Sequence, residues 1–218
     1  LEKIARLETI VAPQDKLAQQ FILRAKALAG YERDGKCCPY DYPTQRQMLM
    51  KALDMTHPNF DLGKFERCLL SVEDVKSLNQ IAITYSETGE RRFAIRIYEQ
   101  LLRYTKRRLF NNEALFSVLP MLCYNYSRLL GRERRYEECI EIAQYGYDLS
   151  LKYDKARALG GLLLNIGCSL QKLGKDEEAK KKLMESYYAF VTVKKFNSAQ
   201  KVKDYMKEVF EIEFKGDI

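Results

Sequence analysis

The chain has 218 residues, 46% of them hydrophobic, and 37 Lys and Arg against 30 Asp and Glu give a net charge of +7. That is enough apolar material for a continuous core, and five prolines leave room for long helices. No apolar run approaches the 18 residues of a membrane span, no basic segment leads into an apolar stretch as in a signal peptide, and six scattered cysteines with one histidine form no metal pattern. Reduced thiols in a cytoplasmic protein are expected, without metal or cofactor. The start at Leu1 rather than Met fits a piece of a longer protein.

Residues 1 to 12 predict a short amphipathic helix through Leu1, Ile4, Leu7 and Ile10 or Val11, ended by Pro13. A longer helix is expected from about Asp15 to Arg33, with Leu17, Phe21, Leu28 and Tyr31 at helical spacing and Asp34-Gly35 as its turn. "CCPYDYP" interrupts, and Thr44 is expected to cap a helix over 45–56. "HPNFDLGKF" reads as a further turn, with a helix beyond it reaching about Leu70. Residues 1–70 thus form N-terminal helices and a degenerate first hairpin. Ser71-Val72-Glu73-Asp74 resembles a capping box with Asp74 in place of Glu or Gln, and it opens a helix over 72–87. Helices follow over 90–109, 112–131, 135–152, 155–172 and 175–192. A last one over 196–211, apolar through Ala199, Val202, Tyr205, Met206 and Val209, would cap the stack, leaving a tail at 212–218. No strand pattern competes, so the fold class is all-α.

Three segments align over 22 residues without a gap: "QIAITYSETGERRFAIRIYEQL" from Gln80, "NYSRLLGRERRYEECIEIAQYG" from Asn125 and "NIGCSLQKLGKDEEAKKKLMES" from Asn165. The fifteenth column reads Ala94, Cys139, Ala179, all small, as a close helix crossing requires. The tenth reads Gly89, Arg134, Gly174, where the chain turns back, with Arg134 departing from Gly. Recurrence after 45 and then 40 residues indicates stacked helical hairpins. Residues 71–211 are therefore expected to be one array of three hairpins plus a capping helix.

Little in the inventory points to catalysis. His57 is the one available histidine base, no phosphate-binding glycine loop occurs, and the acid pairs Glu73-Asp74 and Glu137-Glu138 sit where helix first turns want them. The chain is read as a non-enzyme. Residues 172 to 207 hold ten lysines against five acids, with smaller clusters at Arg103–Arg108 and Arg132–Arg135. The lysines of "KDEEAKKKL" interleave with acids, which favours a solvated helix face over a nucleic-acid surface. Cys139 reads as a packing residue in the alanine slot.

If Leu78, Ile81, Ala82 and Tyr85 pack the first helix on its partner, Lys76, Asn79, Gln80 and Ile83 face an inner groove. The same offset gives Met121, Tyr124, Asn125 and Arg128 in the second unit, and Gly161, Leu164, Asn165, Cys168 and Lys172 in the third. Asn costs about 0.6 kcal/mol relative to Ala inside a helix, so matched asparagines need a reason. One is an interhelical hydrogen bond to a loop carbonyl. The other is a peptide ligand, because a side-chain amide both donates to and accepts from one peptide unit. On the second reading Asn79, Tyr124, Asn125, Arg128, Asn165 and Lys172 bind the peptide, with the amides free of protein partners.

"GERRFAIRIYEQL", "RRYEECIEIAQYGYDL" and "LNIGCSLQKLGKDEEAKKKL" resemble tetratricopeptide repeats in the long-helix form found in the RRNPP group of Gram-positive peptide-sensing transcription regulators. The resemblance covers residues 72–211 and is weak before 60. It implies a right-handed superhelix of hairpins, acting as the sensing and dimerisation domain of a quorum-sensing regulator. It also implies a homodimer, and DNA contacted only through a preceding helix-turn-helix domain. In that family, concave-face asparagines hold a short signalling peptide, a role that would fall to Asn125 and Asn165 and less surely to Asn79. The competing functions are a scaffold or co-chaperone module binding a partner protein's tail, and, less favoured, an RNA-binding helical array.

Overall fold

The computed structural model describes residues 1–33, 36–108 and 113–212. The Asp34-Gly35 turn, the junction at 109–112 and all but the first residue of the 212–218 tail lie outside them. The chain packs as two compact units, Leu1–Arg108 and Leu109–Ile218.

The first unit holds α1 (Glu2–Ile10), α2 (Lys16–Ala29), a small hairpin of β1 (Tyr31–Arg33) and β2 (Lys36–Cys38), α3 (Tyr42–Thr56), α4 (Val72–Glu87) and α5 (Arg91–Arg108). The second holds α6 (Leu119–Arg132), α7 (Tyr136–Lys152), α8 (Leu159–Lys172), α9 (Asp176–Thr192) and α10 (Phe196–Phe210). Successive helices pack on one another within each unit, and α6 also touches α8 directly.

Four expectations for the first half are corrected. The second helix stops at Ala29, four residues early, because Gly30 takes φ +83° and the carbonyl of Cys38 lies where any Cβ would stand. Residues 31–33 then pair antiparallel with 36–38, Tyr31 opposite Cys38. Asp41, not Thr44, caps α3 by accepting from the Thr44 amide at 2.7 Å, and Pro43 suits the first turn. Between the end of α3 and Leu70, where a helix was expected, the described chain winds only as a 3-10 turn at Phe65–Arg67. Leu17, Phe21 and Leu28 do share a face of α2, but it is the exposed one (62%, 41% and 43%), while Gln20, Ile22 and Ala27 point inward.

The capping box at the start of α4 is present in both directions, and its acid does more than cap. Asp74, 1% exposed, accepts hydrogen bonds from Ser71 N (2.7 Å), Ser71 Oγ (2.8 Å) and Gln20 Nε2 (2.5 Å), and lies 3.0 Å from His57 Nε2. Burial works to raise its pKa, but the bonds from His57, Ser71 and Gln20 outweigh it and hold the carboxyl below its usual range. One carboxylate thereby ties α2, the end of α3 and the start of α4.

In the second half the helices match their predicted bounds within one or two residues, with two exceptions. Residues 113–117 and 156–158 wind as 3-10 turns before α6 and α8 begin. The turn column adopts one geometry. Gly89, Arg134 and Gly174 sit at φ +90°, +60° and +75°, and Lys194 joins them at +57°. At Gly174 the amide donates to Gln171 O and that of Lys175 to Leu170 O, both at 3.0 Å; the same pair recurs at Arg134 and Lys194. This is the Schellman ending, which satisfies the last carbonyls of a helix. The small column is buried throughout: Ala94, Cys139 and Ala179 are at most 1% exposed, and Ala199 occupies the equivalent place in α10. α10 closes its unit as expected, with Ala199, Val202 and Met206 buried against Leu183, Tyr187 and Phe190 of α9.

Candidate functional site: the half-open face of α6 and α8

The first helix of each hairpin has a fully packed side and a half-open side. On α6 the buried residues include Leu122, Cys123, Tyr126, Ser127, Leu129 and Leu130, whereas Met121, Tyr124, Asn125 and Arg128 are partly exposed. On α8, Leu162, Leu163, Ile166, Ser169 and Leu170 are buried, Leu164, Asn165 and Cys168 are partly exposed, and Lys172 is exposed. On α4 the partly exposed set includes Lys76, Asn79, Gln80 and Ile83. The register predicted from the repeat therefore selects the half-open side of all three helices, except at Gly161, which is buried against the Tyr124 ring.

Asn165 is the best-defined member. Its Nδ2 donates to Tyr124 O (3.0 Å) and to Ser127 Oγ (2.8 Å), and Ser127 Oγ in turn donates to Tyr124 O (3.1 Å). The expectation of an amide free of protein partners is thus wrong for Asn165: a helix-interior asparagine finds a donor role across the α6–α8 contact. The acceptor is a helical carbonyl rather than a loop carbonyl. The Oδ1 of Asn165, by contrast, accepts no hydrogen bond among the described residues, so the tie presents a fixed acceptor on the half-open face. Asn125 and Arg128 are also engaged within the protein, as is Asn79. Asn79 lies in the first unit, apart from the set gathered on α6 and α8.

Next to the tie the surface opens into a cleft of about 110 Å³ whose lining includes Met121, Tyr124, Gly161, Phe190, Arg157 and Lys195. Two glycines make room for it. A Cβ on Gly161 would fall 2.5 Å from the Tyr124 ring, and one on Gly160 would fall 2.8 Å from the Phe190 ring. Lys195 Nζ donates to Arg157 O at 3.0 Å, which holds this cationic pair at the rim. The result is an aromatic niche beside two positive charges and an open amide oxygen. That combination suits an extended peptide with an apolar side chain and a carboxylate. Phe190, Arg157 and Lys195 escaped the sequence reading because they meet the repeat columns only through tertiary contacts. Ser127, three residues after Tyr124 and on the packed side, carried the one available hint.

The thiols of this unit are set by burial. Burial pushes the Cys139 thiol up to about 11, in keeping with a packing role. Burial likewise raises Cys168 and Tyr205, which lie together where α10 meets α8. No group of three or more metal-capable side chains occurs among the described residues.

Residues 62–210 match the family described as the RNPP family C-terminal domain. The chain belongs to the RNPP family. Among solved structures, its RNPP domain is similar to Bacillus thuringiensis PlcR in complex with the peptide PapR7 and DNA, at 22% identity and a TM-score of 0.72. That match covers 92% of this chain and 66% of the PlcR chain. Apo PlcR gives 21% identity and a TM-score of 0.70, with 92% and 68% covered. A Podosopora anserina kinesin light chain with nearly identical TPR-like repeats matches at 12% identity and a TM-score of 0.52, covering 88% of this chain and 84% of that one. The chain thus has the tetratricopeptide-like helical fold and spans about two thirds of the length of the PlcR chains. No match is found among curated proteins. Among the described residues no helix is long and apolar enough to cross a membrane.

Proposed function

We propose that this RNPP domain senses a short peptide on the half-open face of α6 and α8, as the ligand-responsive part of a quorum-sensing transcription regulator. The observation that carries the reading is the Asn165 tie. Its amide nitrogen is anchored on α6, and its oxygen is left to accept a peptide N–H from an extended chain. Tyr124 offers ring surface and the adjoining niche takes a side chain, while Arg157, Lys195 and Lys172 supply positive charge for an acidic group or a terminal carboxylate. Asn125, Arg128 and, in the other unit, Asn79 complete the set of proposed contacts. The PlcR complex with PapR7 and DNA supports a peptide ligand and a DNA-directed output. Reading of DNA sequence is assigned to a helix-turn-helix domain separate from these residues, and the working compartment to the cytoplasm. No catalytic step is assigned. The exposed stripe of Leu17, Phe21 and Leu28 supports the expected homodimer.

The test is a backbone scan. Heptapeptides selected on the chain from a randomised pool are resynthesised with one N-methyl amide at a time, which deletes a single N–H donor. One position is expected to lose at least tenfold in affinity with wild type and little with Asn165→Ala. Uniform tolerance of N-methylation would remove the backbone-gripping role.

A further inference from the structure

The outer face of α5 is not accounted for by the fold or by the peptide site. Its 18 residues hold seven cations (Arg91, Arg92, Arg96, Arg103, Lys106, Arg107 and Arg108) and one acid, Glu99, so this helix carries nearly the whole positive excess of the chain. At 100° per residue, Arg92, Arg96, Arg103, Lys106 and Arg107 fall within one sector of about 100° and all five are exposed; the half-buried Glu99 is the one acid in that sector. From Arg92 to Arg107 the row runs about 22 Å at 1.5 Å per residue. Arg103 is paired with Glu66 at 3.0 Å, whereas Arg92, Arg96 and Arg107 have no acidic partner among the described residues.

Helix physics argues against this arrangement as an ordinary solvated face. Arg92–Arg96 and Arg103–Arg107 are like-charge pairs four residues apart, which destabilise a helix. Arg91 and Arg92 stand in a first turn with no acid, against the helix dipole. The lysine-rich α9 behaves in the opposite way, opening on Asp176, Glu177 and Glu178 and pairing Lys180 with Glu177 and Lys182 with Glu185.

We infer that this face of α5 lies along the phosphate backbone of duplex DNA, adding sequence-independent contacts that position the protein. Arginine dominates the row, and its planar fork matches phosphate oxygens. The sector contains no apolar anchor of the kind that protein–protein interfaces build on, whereas protein–DNA interfaces are polar and strongly positive. A duplex segment of about 22 Å presents about 13 phosphates, so a straight row of five cations finds partners without distortion. Phosphate contacts carry no sequence information, so operator reading stays with a separate domain. The inference is independent of the peptide face, since α5 and α6–α8 belong to different units.

The test is fluorescence anisotropy of the chain with a 20-base-pair duplex of arbitrary sequence between 50 and 300 mM salt. Wild type should bind at low salt and weaken steeply. The triple variant Arg92→Gln/Arg96→Gln/Arg107→Gln should lose at least tenfold in affinity at 50 mM. Its slope of log K against log salt should shrink by about 2 to 3, at about 0.9 per lost phosphate contact. Its thermal midpoint should not fall. The control Lys175→Gln/Lys181→Gln/Lys201→Gln should bind like wild type. No wild-type binding at 50 mM salt would overturn the inference. So would equal loss in the control, or poly-glutamate displacing the chain as strongly as duplex of the same charge.

Discussion

At the scale of single residues, Asn165 ties two partners and Asp74 ties Ser71, Gln20 and His57, and each makes a distinct forecast. Asn165→Ala removes two hydrogen bonds at a part-buried site and leaves Ser127 its own bond to Tyr124 O. The expected loss of stability is about 1–2 kcal/mol, measured by urea denaturation, because net hydrogen bonds contribute about 1 kcal/mol each. Asn165→Asp should cost more, since a carboxylate would face the Tyr124 carbonyl with nothing to donate. Asp74 makes its forecast through pH. Its folded pKa lies below the unfolded value, so the stabilisation is present above the unfolded pKa of about 4 and is lost as pH falls through the folded one. Thermal midpoints should therefore drop below about pH 4, and Asp74→Asn should be destabilised at neutral pH with a flatter acid limb. An unchanged acid limb in Asp74→Asn would assign the acid sensitivity to other groups. The sequence offered His57 only as a lone histidine before a proline and the one available histidine base. Its partner is 17 residues away across a bend that no local pattern predicts.

At the scale of elements, legibility followed the locality of the forces involved. α4, α7, α9 and α10 were readable within one or two residues because their signals are local: a capping box for α4, and the apolar period with the preceding turn residue for α7, α9 and α10. The end of α2 was not, since the pairing of 31–33 with 36–38 competes with a helix that propensity alone would extend. The face of α2 was misassigned for a related reason: its inward Gln20 is justified only by Asp74, 54 residues on. The turn column yields the third forecast. Gly174 stands at φ +75°, and a Cβ added there would meet nothing within 4 Å, so Gly174→Ala would add backbone strain without a clash. It should destabilise the chain by about 1–2 kcal/mol. Arg134 already bears that strain at φ +60°, so Arg134→Gly should stabilise by up to about 1 kcal/mol in the same denaturation assay. Opposite signs at equivalent turns would follow from one geometry, whereas equal signs would show that the two turns are not equivalent.

At the scale of the whole molecule, the repeat that identifies the fold also sets out the candidate site. Stacking first helices in register aligns Met121, Tyr124, Asn125 and Arg128 with Leu164, Asn165 and Cys168 on half-open sides, and the sequence period was enough to find that row, though not to show that Gly161 of the same register is buried. It could not show that Asn165 is half structural, because its partners Tyr124 and Ser127 lie 41 and 38 residues upstream. Nor could it show that Gly160 and Gly161 open a niche for aromatic rings. Membership in the RNPP family and the likeness to PlcR agree with the helical fold on which this row stands. The most direct measurement is calorimetric titration of a selected heptapeptide into wild type and the Asn125→Ala/Asn165→Ala variant, with thermal unfolding of both in parallel. The account predicts loss of at least 100-fold in peptide affinity, while the variant still unfolds cooperatively with a destabilisation of no more than about 3 kcal/mol. Peptide affinity within a few-fold of wild type in the folded double variant would contradict it.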